Sequence, residues 1–254
     1  MANWSREEHV LALNLYWQIP FGKMHKGNPQ IIALAESIGR SSSAVGMKLG
    51  NFGRLDPALK ARGISGLSNG AKGEAEVWDE YKANPESLAF ESEQIRAKFT
   101  KRTVEELNDI QTDQLPPEGK ERERLVKTRV NQNIFRRRIL SAYNYTCCIT
   151  GLNSPSLLIA GHIIPWTEDK ANRLNPLNGL CVNRLHDKLF EDGQMWIDQD
   201  FIIHFSDNFL ELQKKTSSAY QWLKQVDGKP LNISKDIQPD IRFLRQHAEK
   251  HGHL

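Results

Sequence analysis

The sequence predicts an α+β protein, on three observations. Apolar residues recur at helical spacing through the first 55 or so positions, the stretch QMWIDQDFIIHFS near residues 194–206 reads as a hairpin, and a polar segment containing Pro116-Pro117 lies between. With 254 residues, 39% hydrophobic and 26% charged, the chain is long enough for one large domain or two smaller ones. No apolar run approaches the roughly 20 residues of a bilayer span. The N-terminal MANWSREEHV lacks the apolar stretch of a secretory signal, so a cytoplasmic location is expected. A formal net charge of +3 selects no partner by itself. The three cysteines, Cys147, Cys148 and Cys181, are too few for a disulfide framework, and reduced thiols are expected.

The elements follow in order. Ser5 and Glu8 have capping-box spacing at the start of a first helix, on which Val10, Leu13 and Trp17 share a face. Asn28-Pro29 suits a second helix start, followed by Ile31, Leu34, Ala35 and Ile38 at helical spacing. Gly39 ends that helix before Ser41 caps a third, which carries Val45, Leu49 and Phe52. The pair, joined by a tight glycine turn, resembles the helix-turn-helix of DNA-binding domains, whose second helix enters the major groove. On that reading Arg40, Ser42, Ser43, Met47 and Lys48 face DNA; on the other, a three-helix bundle only packs on the rest of the protein.

Residues 62–73, RGISGLSNGAKG, read as a loop, either a wing-like extension or a flexible connection. A helix around Val77, Trp78 and Tyr81 follows. The sequence then divides into a helical N-terminal recognition module, residues 1–110, a linker at 111–121, and a C-terminal domain at 122–254. Residues 120–138 carry eight Lys or Arg against two Glu, with Arg122, Arg129 and Arg136 at seven-residue intervals. If the segment is helical, Val126, Val130, Ile134, Phe135 and Ile139 form its apolar side. The arginine stripe then serves either a phosphate backbone or merely a solvated face.

Residues 143–193, YNYTCCITGLNSPSLLIAGHIIPWTEDKANRLNPLNGLCVNRLHDKLFEDG, resemble the HNH endonuclease family. The resemblance rests on CITG, an apolar strand leading into HIIPW, NPLNGL, and LHDKLFEDG in that order, and it extends over roughly residues 120–254. It implies a ββα-metal unit at about 157–193: a strand ending in a histidine, a loop, a second strand and a helix. It also implies roles. His162 is the general base that takes a proton from the attacking water, Asn178 braces the loop between the strands, and His186 is a ligand to a divalent cation. A neutral imidazole suits the first task near pH 7.

Two departures from the family pattern stand out. Many HNH enzymes carry Asp immediately before the base histidine as a metal ligand, and here that position is Gly161. The ion would then be held by His186, water and substrate phosphate, as Mg²⁺ tolerates, with Asp187 either a further ligand or a supporting or capping group. The zinc knuckles of many relatives need two CxxC pairs. With Leu185 in place of a partner cysteine, no structural four-cysteine zinc site is expected.

The resemblance implies a divalent-metal-dependent endonuclease acting on double-stranded DNA, with Mg²⁺ the expected ion and Mn²⁺ or Ni²⁺ alternatives. A recognition module beside a nuclease suggests a bacterial restriction-type enzyme, with methylated or hydroxymethylated cytosine a target by analogy alone. One site cuts one strand, so double-strand cleavage favours a homodimer. A non-cleaving DNA-binding regulator and an RNA-directed nuclease stay open beside this reading.

Overall fold

The structure is a computed structural model that describes residues 3–67, 70–213 and 215–254. Its chain divides into two compact units, Met1–Ile134 and Phe135–Leu254.

In the first unit, helix α1 (Arg6–Gln18) begins at Ser5, and the expected capping box forms: the Ser5 hydroxyl accepts from the Glu8 backbone N–H while the Glu8 carboxylate accepts from that of Ser5. Helix α2 (Pro29–Ser37) starts after an Asn28 cap with proline in its first turn. Gly39, at φ +67°, makes the left-handed turn into α3 (Ser42–Gly53), capped by Ser41. Short α4 (Pro57–Ala61) follows, then α5 (Lys72–Tyr81), α6 (Pro85–Thr100) and α7 (Val104–Leu107). Ser68 and Asn69 of the expected loop lie outside the described residues. The core joins Val10, Leu13, Ile31, Val45, Leu49, Phe52, Val77 and Leu88, so α1, α2, α3, α5 and α6 share one apolar interior.

Acidic composition over residues 84–107 does not prevent helix there, because Asn84 and Thr103 cap α6 and α7, with glutamates in both first turns. The polar segment 111–121 holds a 3₁₀ turn, Thr112–Gln114, and the start of α8 (Lys120–Ala142). Helix α8 runs unbroken through the division between the units. Its expected apolar side is buried: Val126, Val130 and Ile134 in the first unit, Phe135 and Ile139 in the second.

The second unit is built on two antiparallel strands, β1 (Leu158–His162) and β2 (Gly179–Asn183), in a register that sets His162 opposite Gly179 and Gly161 opposite Leu180. Helix α9 (Arg184–Glu191) follows β2 directly. The expected hairpin of β3 (Met195–Ile197) and β4 (Ile203–Phe205) comes next, then α10 (Asp207–Glu211), α11 (Ser218–Lys224) and α12 (Ile241–Lys250). Helices α8 and α9 take opposite faces of the β1–β2 pair, and each approaches at a glycine. A Cβ at Gly179 would lie 2.7 Å from the Phe135 ring of α8, and one at Gly161 would collide with the Asp187 carboxylate of α9. The backbone at Gly161 lies outside the left-handed region, so a side chain here would contend with the end of the Asp187 side chain and not with its own φ.

The far end of α9 is fixed as firmly. Gly193, at φ +67°, turns the chain out of the helix beneath the His251 ring. His247 of α12 stacks on Phe190 at 3.7 Å and donates from Nε2 to the Phe190 carbonyl at 2.8 Å.

One residue expected to contact DNA sits deep in the first unit instead. Lys48 is 6% exposed and pairs with Glu74, which is fully buried and also accepts from Asn51 and Arg54. Removing Lys48 leaves the buried Glu74 charge with only the longer Arg54 contact and the Asn51 amide. Lys48→Met is therefore expected to lower stability by about 3 kcal/mol, read by urea unfolding of the full chain; an unchanged midpoint would contradict this placement.

Candidate active site

His162 ends β1 with its ring on the α8 face. Because its partner Gly179 has no side chain, Phe135 reaches across and stacks on the imidazole at 3.8 Å and 13°. Trp166 meets the ring edge-on at 5.5 Å. His162 Nε2 lies 2.9 Å from the Arg173 carbonyl oxygen, which can only accept, so the proton of the neutral ring is on Nε2. Nδ1 keeps its lone pair, with no hydrogen bond among the described residues. Burial holds the His162 pKa below its ordinary value, and the nearby Arg173 charge pushes the same way against the carbonyl contact. The ring is thus oriented, neutral at pH 7, and offers one basic nitrogen.

Arg173 is fixed in turn. Its Nε donates to the Trp166 carbonyl at 2.8 Å, and its guanidinium lies 4.9 Å from the Trp166 ring centre. Asn178, fully buried, closes the loop between the strands. Its Oδ1 accepts from Ile164 N–H at 2.8 Å, its Nδ2 donates to the Ile164 carbonyl at 3.1 Å, and its own carbonyl accepts from Ile163 N–H at 3.0 Å. Asn178 holds the two residues after His162 rather than the imidazole itself.

On the opposite face, α9 starts at Asn183. The Asn183 Oδ1 accepts from His186 N–H at 3.0 Å as the helix cap, which turns its Nδ2 toward His186 Nδ1 at 2.9 Å. An amide nitrogen donates, so Nδ1 of His186 accepts and its proton is on Nε2. That Nε2 is buried without a hydrogen-bond partner, in a fully enclosed ring packed 4.8 Å from Trp222. Burial pushes the His186 pKa down to about 4.

The next residue, Asp187, sets its carboxylate against the backbone of Gly161, where a side chain at 161 would begin. No hydrogen bond or ion pair among the described residues holds it; burial foremost, with the charge of Glu191 adding, pushes its pKa up to about 6. A half-buried carboxylate with no hydrogen bond or ion pair among the described residues fits a hard divalent cation. No three His, Cys, Asp or Glu side chains among the described residues converge as a ready-made cage, so such an ion would keep water and substrate oxygens as its remaining ligands.

A family model described as HNH endonuclease matches residues 147–198, the segment that contains both strands and α9. The chain carries an HNH domain. A comparison with curated proteins gives no match.

Within the HNH domain, backbone hydrogen bonds close the CITG turn. Gly151, at φ +73°, closes it with its N–H on the Cys147 carbonyl, and Cys148 N–H reaches the Cys181 carbonyl at 2.8 Å. All three thiols are buried, and burial raises Cys181 to about 12, so they pack as small neutral side chains.

The residues expected to meet DNA are scattered in their engagement. Arg40 pairs with Glu8 at 2.6 Å and lies over Trp4, while Ser43 is exposed and Ser42 half-buried on α3. In the arginine stripe, Arg122 pairs with Glu105 at 2.9 Å and Arg136 donates to the carbonyls of Leu158 and Pro155; Arg129 is exposed, with one contact to Gln132. Sequence reasoning missed Phe135, Arg173 and Gly179 as groups that orient His162. The signal for Gly179 was its place in NPLNGL, opposite the expected strand end.

Histidine-selective NMR titration of metal-free protein is expected to give His162 a midpoint below 6.5 with the proton on Nε2. Protonation is disfavoured by burial, so the neutral ring persists as pH falls until that lowered midpoint is passed. A midpoint above 6.5 or an Nδ1–H ring would contradict this environment.

Proposed function

We propose that this chain is a divalent-metal-dependent DNA endonuclease in which His162 activates the attacking water. The carrying observation is the imidazole itself: packed on Phe135, tied at Nε2 to the Arg173 carbonyl, and left with Nδ1 as its one base. Phosphodiester hydrolysis needs a group that takes a proton from water near neutral pH, and a ring held neutral and in one tautomer does so without reorientation. Asn178 supports this by fixing residues 163 and 164, which anchor the loop that carries Arg173. Helix α9 carries the two candidates for a protein ligand to that ion, His186 and Asp187. When bound, the cation supplies charge neutralisation at the scissile phosphate and the leaving 3′ oxygen.

Duplex DNA as substrate, restriction as the biological role and modified cytosine as a target extend the same reading. Arg129, exposed on α8, and the outward serines of α3 are the groups proposed to meet the backbone, with Arg40, Lys48, Arg122 and Arg136 acting chiefly through their internal partners. The α2–α3 pair is proposed as the reader, on its tight Gly39 turn and Ser41 cap. Cutting both strands calls for two copies.

His162→Ala is expected to lower cleavage by about 10² or more, the usual worth of a general base, without unfolding the protein, as read by circular dichroism. Plasmid DNA with and without cytosine modification, and RNA, serve as substrates with Mg²⁺, Mn²⁺ or Ni²⁺. Undiminished cleavage by the variant would remove His162 from the mechanism, and faster loss of RNA than of any DNA would reassign the substrate.

A further inference from the structure

Helix α9 brings two candidate ion ligands to the HNH domain, and the structure treats them differently. Asn183 cannot turn its amide without losing the α9 cap, since Oδ1 holds His186 N–H and Nδ2 faces His186 Nδ1. That fixes His186 as a ring with Nε2–H, a donor with no lone pair for a metal, enclosed beside Trp222. Asp187 is the opposite case. Its carboxylate is half-buried, has no hydrogen bond or ion pair among the described residues, and lies where the side chain of residue 161 would be.

We infer that Asp187 is the carboxylate ligand of the divalent cation, presented from the helix into the space that Gly161 leaves on the strand, and that His186 is a positioning residue under α9. This rests on the proposed nuclease reading and sharpens it. Gly161 and Asp187 are then one device. The strand gives up its side chain so that the helix carboxylate can reach the same place, beside the backbone that leads into His162. A side chain on residue 161 would compete for that space with the end of the Asp187 side chain, which would have to turn aside.

The test is Mn²⁺ binding by the full chain without DNA, followed by the electron paramagnetic resonance of free Mn²⁺, with cleavage measured separately. Asp187→Asn, which keeps the shape and removes the charge, is expected to weaken Mn²⁺ binding about tenfold or more. The transposed variant Gly161→Asp with Asp187→Ala is expected to bind more tightly than Asp187→Ala alone. Wild-type affinity in Asp187→Asn, or no Mn²⁺ binding by the wild type through the millimolar range, would overturn the assignment. A transposed variant that folds, by circular dichroism, yet stays as weak as Asp187→Ala would do the same; if it loses its fold, Asp187→Asn decides. The two readings fail separately. Wild-type protein that binds Mn²⁺ through Asp187 and cuts no nucleic acid removes the nuclease reading and leaves the ion site, whereas cleavage with undiminished Mn²⁺ binding in Asp187→Asn does the reverse.

Discussion

The closeness with which two helices lie on one pair of short strands governs the HNH domain. Each helix reaches the β1–β2 backbone only because a glycine stands at the point of approach: Gly179 beneath Phe135 and Ile139 of α8, Gly161 beneath Asp187 of α9. A methyl group at Gly179 would force the ends of Phe135 and Ile139 to shift, and one at Gly161 the Asp187 carboxylate. The consequences differ by face. On the α8 side the approach lets an aromatic ring stack on His162 and fix its plane, and on the α9 side it lets a carboxylate take the place of a missing strand side chain. Successive strand residues point to opposite faces, so one dipeptide, Gly161-His162, addresses both helices at once.

Around that sandwich the polar groups are arranged so that their hydrogen bonds leave little rotational choice. The Arg173 carbonyl accepts from His162, Trp166 holds Arg173, Asn178 holds Ile163 and Ile164, and Asn183 both caps α9 and sets the tautomer of His186. Asn178 and Asn183 each use both ends of the amide, which limits how the groups they hold can turn. Asp187 stands apart from this network as the one carboxylate of the domain's strand–helix core that is left without a partner among the described residues.

Much of this was legible in the sequence. The capping box at Ser5 and Glu8, the proline after Asn28 and the glycine at 39 each act over a few residues, where sequence and structure are most closely tied. The order of His162, Asn178 and His186 marked the domain. What the sequence did not disclose depends on long-range packing: that Lys48 turns inward to Glu74, that Arg122 and Arg136 of the stripe serve Glu105 and backbone carbonyls, and that neighbours His186 and Asp187 face different surroundings. Consecutive helical residues point about 100° apart, so a motif that names one of them says little about which meets the site.

The most direct measurement of the central claim is an anomalous difference map from crystals of the full chain grown or soaked with Mn²⁺. A peak beside the Asp187 carboxylate, at the Gly161 backbone, with His186 Nε2 not coordinated, is the predicted result. A peak bonded to His186 Nε2, with the Asn183 amide turned over and Asp187 unbound, would contradict it.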